Sequence, residues 1–536
     1  MGHGFKFISG LLIVGSAFLT ASAQLPSCPL RPAPGSVVLD PTSLSSQNGA
    51  LSLALTMHNA ADSSGFNHYC LNYETANGLV EAPTLRLNPG DTLTIDFTNQ
   101  LNVPVPANAA LKYPMSRMSH GVDSPTASPC ENTVMNFNTT NLHFHGLNIP
   151  PACHQDDVIN TLIQPSPTPF RYQFQIPANE PPGMYWYHPH PHGFSALQVN
   201  GGAAGAIIIN GIEKIKPQVA GLTERVFLLR QQFLDPFSWI PGPYQLTVNF
   251  QPATSPKTAP PVIQMKPGEK QFWRVANTTT QAFMSLQLLF GEVAQSFEII
   301  SLDGVPVTGD PMVTSIDIPP AGRAEFIVTG PPAGTTASFV NAGFDTGPVG
   351  NANNYQLLAN VVPTTTASME QARPLAPPTP SLPVTQRFSG LAAMKPNVQR
   401  KLFFSEAAVG TNPPVNFFIT VEGQQPRLFE KTDSPAIVTK VGAVEDWTIE
   451  NRTSEEHAFH MHQIHFLVVA LDGVPVTNPT LQDTINVPYW SGKGPYHSVT
   501  MRMDFRDPNI AGTFVYHCHV LFHEDGGMMA KIRVDP

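Results

Sequence analysis

The residues with the most chemical content lie near the carboxyl end, where Tyr516-His517-Cys518-His519 is followed by His523 and then by Gly527-Met528-Met529. A soft thiolate, two imidazoles and a weak thioether form the ligand set of a blue-copper electron-transfer site, and Cys518, His523 and Met528 supply three of those four groups. The missing histidine has to come from another part of the chain. On an extended strand successive side chains point to opposite faces, so Cys518 faces one way while His517 and His519 face the other. One strand of this sequence can therefore serve two separate metal centres.

Three further clusters can supply the remaining imidazoles: His143-Phe144-His145, His188-Pro189-His190 and His457-Ala458-Phe459-His460-Met461-His462. With the carboxyl-terminal group they hold ten of the 18 histidines and one of the five cysteines, a concentration that scattered surface histidines do not produce. A single His-x-His is ordinarily an exposed strand face. Four such clusters together resemble, motif by motif, the four copper segments of the multicopper oxidases. The stretches His523-Glu524-Asp525-Gly526-Gly527-Met528-Met529 and Tyr185-Trp186-Tyr187-His188-Pro189-His190-Pro191-His192-Gly193 are similar to those of the bacterial branch, which includes the copper efflux oxidase, bilirubin oxidase and bacterial laccases. The resemblance spans nearly the whole chain after its leader. Phe144 stands where Trp is common, Ala458 where Pro is usual and Gln463 where many members have Gly, and none of these departures removes a ligand.

The resemblance implies an all-β protein of three cupredoxin-like Greek-key β-sandwich domains holding four coppers. Carried over by position, the type 1 copper takes His457, Cys518 and His523, with Met528 as the weak axial ligand. The type 2 copper takes His143 and His460. The type 3 pair takes His145, His188 and His519 on one copper and His190, His462 and His517 on the other. Ligands then come from both ends of the chain, so the cluster must lie between domains. The implied reaction removes single electrons from a donor and reduces dioxygen to water. That reduction consumes protons; Glu524 matches the family's proton-relay position, and Asp156 and Asp157 follow His143 at the distance where the family has a carboxylate beside the type 2 copper. His154, His192 and His465 fall outside the ligand pattern and are expected as supporting or surface residues. A phenolic or other aromatic donor is the first expectation. Cuprous ion is the alternative, kept open by Met115, Met118, Met135 and His120 ahead of the first histidine pair. Non-catalytic cell-envelope relatives have lost their copper ligands, whereas all are present here.

A chain of 536 residues is too long for one ordinary core. With 39 Gly, 55 Pro and only 13% charged residues it favours short strands closed by turns. The net charge of -10 argues against a nucleic-acid partner. Residues 1–23, with Lys6, an apolar run from Phe7 to Leu19 and Ala21-Ser22-Ala23, have the layout of a cleaved secretory signal, which implies a secreted or periplasmic protein. No later segment is long enough to span a membrane. Cys28, Cys70, Cys130 and Cys153 remain for two disulfides. Three pairings are open, of which Cys130 with Cys153 would tie the loop before the first histidine pair to the loop after it.

Three segments share a frame: Thr84 to Asn99 with Gly90, Val262 to Asn277 with Gly268, and Ala436 to Asn451 with Gly442, with Gly and Asn nine residues apart each time. Each reads as a strand, a glycine turn and an alternating strand, at a period of about 175 residues. Leu302-Asp303-Gly304-Val305-Pro306-Val307-Thr308 returns unchanged as 471–477. Aligned with the His457 cluster, the middle copy carries Gln281, Met284 and Leu286 at the ligand positions, so the middle domain is expected to keep the fold and bind no copper. The expected domains are 36–210, 211–362 and 386–536, with a Pro-rich linker at 363–385.

Overall fold

The alternation read in the repeat is the construction of each unit. Strand Thr92–Asn99 buries Leu93, Ile95 and Phe97 and leaves Thr94 and Asp96 half-exposed, which is the period-two signature of a strand with one face on a core. It runs parallel to Ala50–Ala61 and antiparallel to Phe170–Gln175. The same arrangement recurs with Lys270–Asn277 between Thr223–Phe233 and Arg323–Thr329, and with Ala443–Asn451 between Val398–Ala408 and His497–Phe505. The structure is a computed structural model that describes residues 1–2, 28–61, 67–103, 128–131, 134–233, 244–253, 258–364, 373–375, 387–410 and 415–536. All but the first two residues of the leader expected at 1–23, together with Met115, Met118, His120 and most of the Pro-rich stretch, lie outside the described residues.

Among the described residues the strands form six sheets, two to each copy of the repeat. The second sheet of each copy also follows one pattern. Thr84–Leu87, Val262–Met265 and Ile437–Lys440 pair in parallel with Gly205–Ile209, Gln356–Pro363 and Met529–Asp535 respectively. Those strands pair antiparallel with Gly183–His188, Ala337–Asn341 and Gly512–Cys518, and these in turn with His143–His145, Met284–Phe290 and His457–Met461. The molecule is thus three cupredoxin-like Greek-key β-sandwiches, each closed over its own apolar cluster. Trp273 and Trp447 are fully buried in the second and third clusters.

The conserved frame has a physical reason at both ends. Gly90, Gly268 and Gly442 all sit in the left-handed region, with φ of 90°, 69° and 93°, where a Cβ is strained. Asn99, Asn277 and Asn451 are buried, and each side-chain amide donates to backbone carbonyls of neighbouring loops: Asn99 to Asn138 and Ile163, Asn277 to Ala282, Ile318 and Pro319, Asn451 to Glu455 and Val487, all at 2.7–3.1 Å. An irregular loop crossing the end of a sandwich has carbonyls that no ladder satisfies, and this asparagine satisfies them.

Several segments bind one unit to another. Val38 is buried in the middle core, and the carbonyl of Val38 and the carboxylate of Asp40 accept from Arg225 of the middle sheet. Within the Pro-rich stretch, Arg373–Pro374 pairs with Thr223 and Glu224. Disulfides join Cys28 to Cys70 and Cys130 to Cys153, and Cys518 is free and buried. No helix among the described residues is long and apolar enough to cross a membrane.

Candidate metal centre

His143 and His145 lie on a three-residue strand that pairs with Gly183–His188, putting His143 opposite His188. On the third sandwich His457–Met461 pairs with Gly512–Cys518, putting His460 opposite His517 and Phe459 opposite Cys518. The first pair lies at the edge of its sheet and the second lies one strand in, with Thr484–Val487 outside it, and the two meet where the first and third sandwiches touch. The ten clustered histidines and Cys518 are all no more than 5% exposed.

Their donor atoms form two groups. In the first, Cys518 Sγ lies 3.5 Å from His457 Nδ1 and 3.8 Å from His523 Nδ1, and the two Nδ1 atoms are 3.2 Å apart. Met528 is buried in the same cluster, and its backbone brackets this group, its carbonyl accepting from Cys518 N–H and its N–H donating to the His523 carbonyl. Met529 instead packs with Val158, Phe429 and Val515. In the second group, His517 Nε2 lies 3.3 Å from His190 Nε2 and 3.1 Å from His462 Nε2. The rings of His145, His188 and His519 sit 5.2–5.8 Å from one another, and those of His143 and His460 are 5.9 Å apart. Cys518, the last residue of its strand, therefore belongs to one group while His517 before it, by strand alternation, and His519 just past the strand end belong to the other.

Most of the second group's imidazoles have one nitrogen held and the other free. His143 Nδ1 donates to Asp156 at 3.0 Å, His145 Nε2 to Asp483 at 3.1 Å, His188 Nδ1 to the Pro189 carbonyl at 2.9 Å and His460 Nδ1 to the Asp483 carbonyl at 2.8 Å. His143 Nε2, His145 Nδ1, His188 Nε2, His460 Nε2 and both nitrogens of His519 are buried with no hydrogen-bond partner. Burial, reinforced by the neighbouring imidazoles, holds these rings well below their ordinary protonation range, so they present lone pairs rather than protons. Buried lone pairs facing one another without donors are costly, and a soft or borderline cation removes the cost. Burial likewise pushes the Cys518 thiol up, so its thiolate requires a cation beside it. The residues fit copper.

Carboxylates surround this second group. Asp156 meets His143 through both oxygens and also accepts from Phe144 N–H at 2.9 Å and from the Gln463 amide; burial raises its carboxyl to about 7. Asp157, next in sequence, turns to Asn160 at 3.0–3.1 Å. Glu524 Oε1 lies 3.7 Å from His190 Nδ1 and accepts from Ser195 Oγ, while its Oε2 is buried without a partner. His465 is buried against Asp303 and Asp483, His192 stands against Phe429, and His154 is exposed and stacked on Phe170. The middle sandwich has Met284 and Leu286 in its apolar core, and Gln281 bonded to Asn351.

The site also includes residues that the motifs do not mark. Asp483, Arg323, Asp303 and Thr484 lie behind His145 and His460. At the other group, the outer nitrogens of both histidines are capped: His457 Nε2 by Thr453 Oγ1 at 2.9 Å and Glu406 at 3.4 Å, His523 Nε2 by Glu455 at 3.2 Å. Phe417 stacks on His523 at 4.2 Å. Glu455, two residues before His457, was visible in sequence; its direction was not.

Three segments of the chain, 112–214, 226–360 and 407–536, match sequence models of one family, described as multicopper oxidase. Over 476 residues the chain is 23% identical to multicopper oxidase mco of Staphylococcus haemolyticus, covering 85% of this chain and 83% of the relative. Over 503 residues it is 24% identical to a laccase of Bacillus subtilis, covering 86% and 90%. The structure superposes on a multicopper oxidase from Campylobacter jejuni described as a metallo-oxidase, with a TM-score of 0.66 and 21% identity over 94% of this chain and 96% of the other.

Proposed function

The chain belongs to the multicopper oxidase family, and on that premise we propose that it couples one-electron oxidation of phenolic or related aromatic donors at a type 1 copper to four-electron reduction of dioxygen to water at a trinuclear cluster. His457, Cys518, His523 and axial Met528 would hold the type 1 copper and His143 and His460 the type 2 copper. His145, His188 and His519, with His190, His462 and His517, would hold the type 3 pair, making four coppers per chain. Copper, when bound, supplies the one-electron redox steps and the affinity for dioxygen.

The observation that carries this reading is the division of labour along one strand, with Cys518 in one donor group and its bonded neighbours His517 and His519 in the other. The covalent link joins donor side to oxygen side with no solvent between, since all three residues are buried. Asp156 orients His143 by accepting its Nδ1 proton, which leaves Nε2 as the ligand atom. The unpartnered Oε2 of Glu524 is a buried site at which a proton can be held for the reacting oxygen. The two disulfides fit an oxidising compartment, consistent with a secreted or periplasmic protein. The three pairs of sheets support domains at about 36–210, 211–362 and 386–536, joined by 363–385.

One observation favours a second reading, oxidation of cuprous ion. Glu406 and Glu455 set two carboxylates at the outer nitrogens of His457 and His523, which suits a cation as well as a phenol hydroxyl. Oxygen uptake by the copper-loaded protein separates the two, with a dimethoxyphenol or cuprous ion as the only electron donor. Fast phenol turnover without added copper is expected. Uptake with cuprous ion alone, or phenol activity only in excess copper, would replace the first reading by the second.

A further inference from the structure

The middle sandwich has no candidate ligand, yet it reaches the oxygen side of the site. Arg323, at the start of strand Arg323–Thr329, is fully buried and grips Asp483 of the third sandwich with both prongs, Nη1 to Oδ1 at 2.7 Å and Nη2 to Oδ2 at 2.5 Å. Its Nε donates to the Met184 carbonyl of the first sandwich at 3.3 Å. Asp303, also from the middle sandwich, accepts the Arg323 N–H at 2.8 Å, and its other oxygen accepts the backbone N–H groups of Asp483 and Thr484, both at 3.2 Å.

Asp483 is in turn the residue against which two histidines are set. Its Oδ1 accepts from His145 Nε2 at 3.1 Å and its carbonyl accepts from His460 Nδ1 at 2.8 Å, while Thr484 Oγ1 lies 3.2 Å from His460 Nδ1. The opposite nitrogens, His145 Nδ1 and His460 Nε2, are the unpartnered ones. Gly146 allows the approach: a Cβ there would stand 2.6 Å from Asp483 Oδ2 and 2.8 Å from Arg323 Nη2. The repeated heptapeptide makes the contrast within this chain. Its third-sandwich copy puts Asp472 on the surface with His497, whereas the middle copy turns Asp303 inward to the Asp483–Thr484 backbone.

We infer that Arg323, seconded by Asp303, is a positioning residue of the oxygen-reducing centre: acting through Asp483 it fixes the ring orientation of His145 and His460, which makes the ligand-free middle sandwich an integral part of that centre. This rests on the assignment of His145 and His460 to cluster copper. A bidentate arginine holds a carboxylate in plane and in register, which a lysine cannot do. Losing a partner that orients a ligand costs about 10–100-fold in metal affinity.

The test is copper binding by the full-length Arg323→Met and Arg323→Lys proteins against a chelator, resolved by site: the thiolate absorption for type 1, paramagnetic resonance for type 2 and near-ultraviolet absorption for type 3. Arg323→Met is expected to keep type 1 copper and to lose about 10–100-fold in affinity for cluster copper, with Arg323→Lys showing the same selectivity at smaller size. Arg274→Met removes another buried arginine of the middle sandwich, one paired with Glu224 and Glu325 rather than with Asp483, and is expected to lower stability without that selectivity. Cluster affinity within about twofold of wild type in both Arg323 variants, loss of type 1 and cluster copper in equal proportion, or the same selective loss in Arg274→Met would overturn the inference. Should Arg323→Met fail to fold, Arg323→Lys and Asp303→Asn decide by the same criteria. Failure of the underlying assignment looks different: wild-type protein would lack cluster signals, or His145→Ala would retain them.

Discussion

Gln463 is the departure from the family pattern with the clearest consequence. It lies between His462 and Ile464, is buried, and has a φ of 61°, in the left-handed region where an L-residue costs about 1–2 kcal/mol. Its amide reaches the oxygen of Asp156 that the Phe144 N–H does not take, so the strained backbone serves a contact on the carboxylate that orients His143. Two substitutions separate backbone from amide. Gln463→Ala removes the amide and keeps the strain; Gln463→Gly removes both. The glycine variant should therefore exceed the alanine variant by about 1–2 kcal/mol, roughly 2–8 °C in Tm for units of this size. Turnover should respond differently. Both lose the contact on Asp156, so both should fall about 10–100-fold, and by similar factors. Calorimetry, copper content and oxygen uptake at saturating donor measure the three quantities. If Gln463→Gly regained wild-type turnover while Gln463→Ala did not, activity would be following backbone strain, and the amide would have no role.

Asp156→Asn should cut turnover at least tenfold, whereas Asp157→Asn should stay within about twofold because that carboxylate faces Asn160; equal effects in steady-state oxygen uptake would contradict the geometry. On the proposed assignment, in which the Met528 thioether would be a weak ligand of the type 1 copper and would lower its potential, Met528→Leu should raise that potential in a redox titration, and an unchanged potential would remove Met528 from the proposed ligand set. Asn277→Ala takes the amide donor from three buried carbonyls, of which Ala282 keeps Thr279 Oγ1 and Pro319 keeps the Gly322 N–H, and should cost about 1–3 kcal/mol in denaturant unfolding, with a loss under about 0.5 kcal/mol refuting the account of the repeated asparagine.

Local order carried much of this protein's chemistry. His-x-His pairs and His517-Cys518-His519 declare candidate ligands within a few residues, because strand alternation decides which side chains can share a face; their expected assignment to particular coppers came from the family resemblance. The Gly–Asn frame declared three copies of one sandwich for a similar reason: a left-handed turn and a loop-bridging amide each restrict residue type at a single position. Asp156 and Asp157 mark where this legibility ends. Both are acidic, adjacent and near His143, and only the loop's conformation turned one to the histidine and the other to Asn160. The cysteines behave alike, three pairings being compatible with composition and one realised.

The sequence by itself determined the clusters of histidines, the alternation of Cys518 with its flanking histidines and the threefold repeat, since each is written in short runs of residue types that can be read without the fold. Tertiary structure decided what stands behind those donors. Arg323 and Asp483 are 160 positions apart, and His145 and Asp483 are 338 apart. No local pattern encodes such contacts, because they exist only where the three sandwiches bury surfaces against one another and the buried charges must find partners there.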